Sequence, residues 1–142
     1  MEKKDKDFYQ LVDEICVADS RYKADAYEFL MQGLYFTQKK LSRKGHVTGR
    51  ELSEGLRDFA IDTYGPMVKT LFSHWGISKT DDFGNIVYNM IGKGLLSRTE
   101  EDFIEDFNGI FDFEEAFGNI LRDSVLKMVE DDHKEDKRTT AK

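Results

Sequence analysis

Cys16 and the histidines His46, His74 and His133 are the side chains of this sequence best suited to nucleophilic, basic or metal-binding chemistry. A nucleophile needs a base within hydrogen-bond reach and a carboxylate to orient that base. Cys16 instead falls on an apolar helical stripe, the usual setting of a packed, inert thiol. His74 stands one residue before the single tryptophan, Trp75, near a predicted helix C-terminus that favours the imidazolium form. No second catalytic group has a fixed spacing to it, so it reads as a cap or a core-edge hydrogen-bonding group. His46 lies in a basic loop and reads as solvated, and His133 belongs to a charged tail. A lone cysteine closes no internal disulfide, and these ligands do not assemble a structural zinc site. The expectation is a chain with no catalytic residue, metal or cofactor.

The glycines and acids carry no stronger motif. Gly45 with Gly49, and Gly92 with Gly94, match neither the Walker nor the dinucleotide-binding spacing and read as turn and cap residues. Asp102, Glu105, Asp106, Asp112, Glu114 and Glu115 offer oxygen ligands, but without the alternate-position acids, central glycine and distal glutamate of an EF-hand. They read as a solvated acidic face, anchored by Phe103, Phe107, Phe111, Phe113 and Phe117.

Charge segregation is the sharper signal. Residues 1–96 hold 14 basic and 14 acidic side chains, so the whole net charge of −7 falls in residues 97–142. Lys39, Lys40, Arg43, Lys44 and Arg50 follow Phe29 with no acid among them. From Glu100 to Glu115 there are eight acids and no base, beginning with Glu100, Glu101, Asp102, Glu105 and Asp106. Such patches govern partners and association rates more than fold. These basic and acidic residues are the candidate interaction sites, meeting within one chain, between copies of it, or on an outside protein partner.

The elements that must position them are helical. Phe8, Leu11, Val12, Ile15 and Cys16 share one face of a helix over Asp5 to Ala18. A second helix, Lys23 to Leu41, buries Tyr27, Leu30, Met31, Leu34 and Leu41, with Phe29, Tyr35 and Phe36 widening the face. Thr48 and Glu51 have capping-box spacing ahead of a third helix that ends at Gly65. Pro66 suits a helix first turn, Met67, Leu71 and Trp75 then recur every four residues, and Gly76 closes that helix. Thr80 is the predicted cap of a fifth helix burying Phe83, Ile86, Val87, Met90 and Ile91. Leu95 and Leu96 begin an extended exit, residues 100–117 read as a partly extended flap, and an amphipathic helix runs from Phe117 to Val129.

The helix–turn–helix–strand rhythm of Gly65 to Arg98 outlines a winged-helix centre with at most a small β-hairpin. Its reading helix, however, opens Thr80-Asp81-Asp82 and presents Asp81, Asp82, Asn85, Tyr88 and Asn89, and its wing is the most acidic segment. Both repel the phosphates that dominate nucleic-acid affinity. With 39% hydrophobic residues in 142, the chain is long enough for one core. It is read as a single mainly α domain of five to six helices over 1–130, with 131–142 a charged tail too polar to fold. No run approaches a membrane span, and the first residues lack the apolar segment of a signal peptide, so a cytoplasmic setting is expected.

The stretches Tyr22–Phe29, His46–Leu52, Tyr64–Met67, His74–Ile77 and Thr80–Gly84, with Leu95-Leu96-Ser97, Glu101-Asp102 and Asp112–Phe117, carry one further signal. Across Phe8 to Phe117 the chain resembles a bacterial family described as a planctomycete and verrucomicrobial conserved hypothetical protein. That resemblance implies no activity, but it implies that the acidic flap belongs to the fold. The function expected from all these features is a non-catalytic, cytoplasmic protein-interaction or regulatory module with segregated charge. The alternative is a winged-helix-like nucleic-acid-binding regulator.

Overall fold

A computed structural model describes the backbone of residues 6–140 and the side chains of residues 6–132. Its centre is an antiparallel pair of helices, α2 (Ala24–Lys40) and α3 (Gly49–Tyr64). They touch where Gly33 and Gly55 lie buried: a methyl group at Gly33 would strike Leu56, and one at Gly55 would strike Thr37. Thr37 is itself buried and donates its hydroxyl proton to the Gly33 carbonyl at 2.7 Å, so its own hydroxyl is satisfied inside the tight seam. The predicted capping box holds, with Thr48 Oγ1 accepting from Glu51 N at 3.1 Å and Glu51 Oε1 from Thr48 N at 2.9 Å.

Helix α1 (Phe8–Ala18) packs on α2 and buries Val12 and Ile15, with Phe8, Leu11 and Cys16 on the same side half-buried. Gly65–Met67 forms a single 3-10 turn before α4 (Val68–Trp75), where Pro66 sits at a first-turn position as expected. The buried face of α4 is Val68, Phe72 and Trp75, and not the predicted Met67–Leu71–Trp75 row. The tight turn rotates the helix start, leaving Met67 52% exposed. Gly76 ends α4 at φ +90°, close under the Arg21 carbonyl, where a side chain would be both strained and crowded. Phe29 gathers the rings of Phe59, Tyr64, Phe72 and Trp75 within 5.1 to 6.2 Å, the aromatic heart of the core.

Helix α5 (Thr80–Gly92) buries Phe83, Ile86, Val87 and Met90 as predicted, while Ile91, expected with them, is half-buried. Its N-terminus is capped otherwise than expected. Asp82 turns back to accept from Ser78 N at 2.8 Å and Lys79 N at 3.2 Å, which frees Thr80 for a different task. Thr80, fully buried, donates to the Phe107 carbonyl at 2.7 Å and accepts from Ile110 N at 3.0 Å, clamping the 107–110 segment onto the helix.

The flap of residues 100–117 is neither hairpin nor long helix. It holds a 3-10 turn, Ile104–Phe107, and a short helix α6 (Phe113–Phe117), and no strand occurs among the described residues. The mainly α prediction therefore stands, whereas the winged-helix centre and its hairpin are not borne out. Phe107 and Phe117 are buried and Phe111 and Phe113 half-buried, but Phe103 is exposed. The last helix, α7 (Ile120–Thr140), runs past the predicted end at Val129 and through most of the expected tail, for no glycine or proline follows Gly118 to stop it. Residues 141 and 142 lie outside the described residues.

Candidate functional site

The basic segment is largely answered by α3. Lys40 pairs with Asp58, Arg43 Nη1 with Glu51 Oε1 at 2.7 Å, and Arg50 Nη1 with Glu54 Oε2 at 3.8 Å. The Arg43 guanidinium, helped by the Thr48 amide, pushes the Glu51 carboxyl down to about 2. Lys39 and Lys44 have no carboxylate at ion-pair distance among the described residues. A window ending at Arg50 made the patch look uncompensated because its acids follow in the next helix.

The acidic segment is partly structural. Asp102 Oδ2 accepts from Thr99 N at 2.7 Å and Asp106 Oδ2 from Phe103 N at 3.0 Å, so both carboxylates cap turns. Glu100, Glu101 and Glu105 are exposed. The two segments meet through side chains where His46 Nε2 lies 3.0 Å from Asp102 Oδ1. His46 is therefore not simply solvated: it ties the basic loop to the flap.

Two glycines allow that approach. A methyl group on Gly49 would come 2.8 Å from Asp106 Cβ, and one on Gly84 would come 3.0 Å from Phe107 Cβ, so the 104–107 turn nests against α3 and α5 at once. Beneath it lies a cleft of about 290 Å³. Leu34, Leu52, Val87, Ile91, Leu96 and Phe107 make it apolar, and His46, Tyr88, Arg98, Asp102 and Asp106 supply its polar groups. The Tyr88 hydroxyl is buried with no hydrogen-bond partner, and burial raises its pKa. The Arg98 guanidinium lies 5.9 Å above the Tyr88 ring and has no carboxylate partner among the described residues.

The face of α5 expected to meet a duplex is spent internally. Asp82 accepts from the Tyr22 hydroxyl at 2.5 Å, and Asn85 Nδ2 donates to that same hydroxyl oxygen at 2.9 Å. Asn89 Nδ2 reaches Asp19 at 2.9 Å and the Tyr27 hydroxyl at 3.0 Å. Asp82 is buried, and Asn85 and Asn89 half-buried, against the α1–α2 junction. Amphipathic periodicity did not reveal this, because polar residues facing a polar seam look like a solvent face.

His74 is exposed, and Cys16 points its thiol at the Tyr22 carbonyl at 3.7 Å with its pKa raised by burial. Among the described residues no three of histidine, cysteine, aspartate and glutamate converge as metal ligands would, and no helix is long and apolar enough to cross a membrane.

What sequence reasoning missed is the setting of α7. Ile120 packs on the core, but every described side chain from Leu121 to Asp132 is exposed. Leu121, Val125, Leu126, Met128 and Val129 are 50% to 68% exposed. The predicted apolar face exists, yet nothing within the described chain covers it. The chain matches no family model, no curated protein and no solved structure.

Proposed function

We propose that the protein is a non-catalytic protein-interaction module whose docking element is α7. The observation that carries this reading is the apolar row Leu121, Val125, Met128 and Val129, recurring at helical spacing on a helix whose described side chains are all exposed beyond Ile120. Exposed apolar side chains concentrated on one helix favour a partner helix or groove. The surrounding charge chooses the kind of partner. The entire −7 of the chain falls on residues 97–119, ahead of α7, whereas residues 120–142 hold six basic and six acidic side chains, so it is the acidic flap beside the start of α7 that attracts a basic amphipathic segment and repels the flap of a second copy. The basic and acidic patches add orientation, with Lys39, Lys44, Glu100, Glu101, Glu105 and Asp106 the members without internal ion pairs among the described residues. A nucleic-acid role draws no support from α5, whose Asp82, Asn85 and Asn89 are committed to Tyr22, Tyr27 and Asp19.

The test uses two synthetic amphipathic helices, one leucine–lysine and one leucine–glutamate, titrated by fluorescence anisotropy against the full chain and against its Leu121→Glu, Val125→Glu, Met128→Glu triple variant. The lysine peptide is expected to bind the wild type in a salt-sensitive manner, the glutamate peptide not to bind, and the triple variant to lose binding with an unchanged circular dichroism spectrum. Equal binding of the two peptides, or undiminished binding by the triple variant, overturns the proposal. Light scattering is expected to find a monomer.

A further inference from the structure

We propose that the cleft under the 104–107 turn is a binding site for a small apolar molecule ending in an uncharged oxygen acceptor, such as an alcohol or a carbonyl. The proposal is independent of α7, which lies outside the cleft.

Size and lining set the body of the ligand. A volume of about 290 Å³ is at the lower edge of ligand pockets, and the side chains of Leu34, Leu52, Val87, Ile91 and Phe107 that line it offer water no hydrogen bonds. The polar end follows from two groups the fold leaves unused. The Tyr88 hydroxyl is buried without a partner, which leaves its hydrogen-bonding capacity unmet unless something is bound there. Arg98 sits over the same ring with no carboxylate of its own among the described residues. The guanidinium can only donate and the phenol hydroxyl can donate its proton, so a single group that serves both is an acceptor. Its charge is limited by the other side of the cleft. Asp102 and Asp106 oppose an anion, and Arg98 opposes a cation, which leaves an uncharged oxygen as the head that meets no repulsion.

His46 and Asp102 close the rim through their 3.0 Å contact, and Gly49 and Gly84 give the wall its close fit. Neither glycine position tolerates a side chain without moving Asp106 or Phe107, so the wall's distance from the floor is fixed by backbone contact.

Three molecules with one shared tail test the assignment: 4-phenylbutanol, 4-phenylbutanoate and 4-phenylbutylammonium, each titrated into the full-length protein and followed by amide chemical shifts. The alcohol is expected to give saturable shifts centred on Val87, Tyr88, Ile91 and Phe107, with the two ions weaker. Tyr88→Phe is expected to weaken the alcohol roughly fivefold, as for one lost neutral hydrogen bond, and Ile91→Trp, which fills the cleft, to abolish it. The proposal fails if the alcohol gives no saturable shifts at these residues, if either ion binds as tightly as the alcohol, or if Tyr88→Phe binds it undiminished. The head-group comparison needs only the wild-type chain, so it stands even where a variant does not fold.

Discussion

Replacing Tyr22 by phenylalanine removes one hydroxyl from a buried junction and should be visible in both stability and its pH dependence. Tyr22 is 2% exposed; its hydroxyl donates to Asp82 Oδ1 at 2.5 Å and accepts from Asn85 Nδ2 at 2.9 Å. Asp82 keeps three other donors in the variant: Ser78 N, Ser78 Oγ and Lys79 N. The carboxylate is thus not orphaned, and the loss is that of one hydrogen bond to a charged group, about 2 kcal/mol. Burial first, and the Asp82 hydrogen bond second, push the Tyr22 phenol up to about 12. A folded-state pKa above the ordinary value near 10 means stability that is complete below pH ~10 and lost as pH rises through about 12. Two units correspond to about 2–3 kcal/mol, so the gap between wild type and variant should be flat from pH 7 to 10 and nearly closed at pH 12. Urea unfolding followed by Trp75 fluorescence measures it at each pH. Taking the difference between the two proteins cancels the tyrosines they share. A gap below about 0.5 kcal/mol at pH 7, the range of an indifferent surface change, refutes the reasoning. So does a gap that stays constant through pH 12.

Gly55→Ala should destabilise by about 1–3 kcal/mol through collision with Thr37, and Thr37→Ala in the same chain should return part of that loss in a denaturant double-mutant cycle. Thr80→Val strands the Phe107 carbonyl and the Ile110 N–H, costing about 1–3 kcal/mol, and limited proteolysis should then cut within residues 98–112 before the helical core. Trp75→Ala should cost roughly 3–5 kcal/mol in thermal unfolding, since the side chain is 7% exposed among Phe29, Tyr64 and Phe72.

The helices of the first 92 residues were legible because local rules decide them: the Thr48–Glu51 box, the turn at Gly76 and the apolar faces of α1 and α5 act within a few residues. Thr80 shows where locality ends. Its type and place suit a cap, but Asp82 supplies the cap and Thr80 serves Phe107, a partner 27 residues away. The partners of Lys40 and Arg43 were hidden for the same reason, lying across a helix seam set by Gly33 and Gly55. The cleft was invisible in the sequence because its wall depends on the absence of side chains at Gly49 and Gly84, which reads as turn chemistry in one case and as a weak helix in the other. The row on α7 was legible as a pattern, though a pattern does not say whether the chain itself provides the cover.

The clamp at Thr80 also divides the molecule in time. The α2–α3 pair is formed from neighbouring segments, so its contacts close a short loop and can arise early. The 104–110 segment has no regular ladder of its own and gains its place only when α3 and α5 already stand at the right separation, through Gly49, Gly84 and Thr80. It is therefore the piece set to assemble last and to detach first, a sub-global opening that leaves the helical core intact. Access to the space behind it is then governed by the free energy of that local unfolding, and the rate of entry is a property of the backbone clamp more than of any gating side chain.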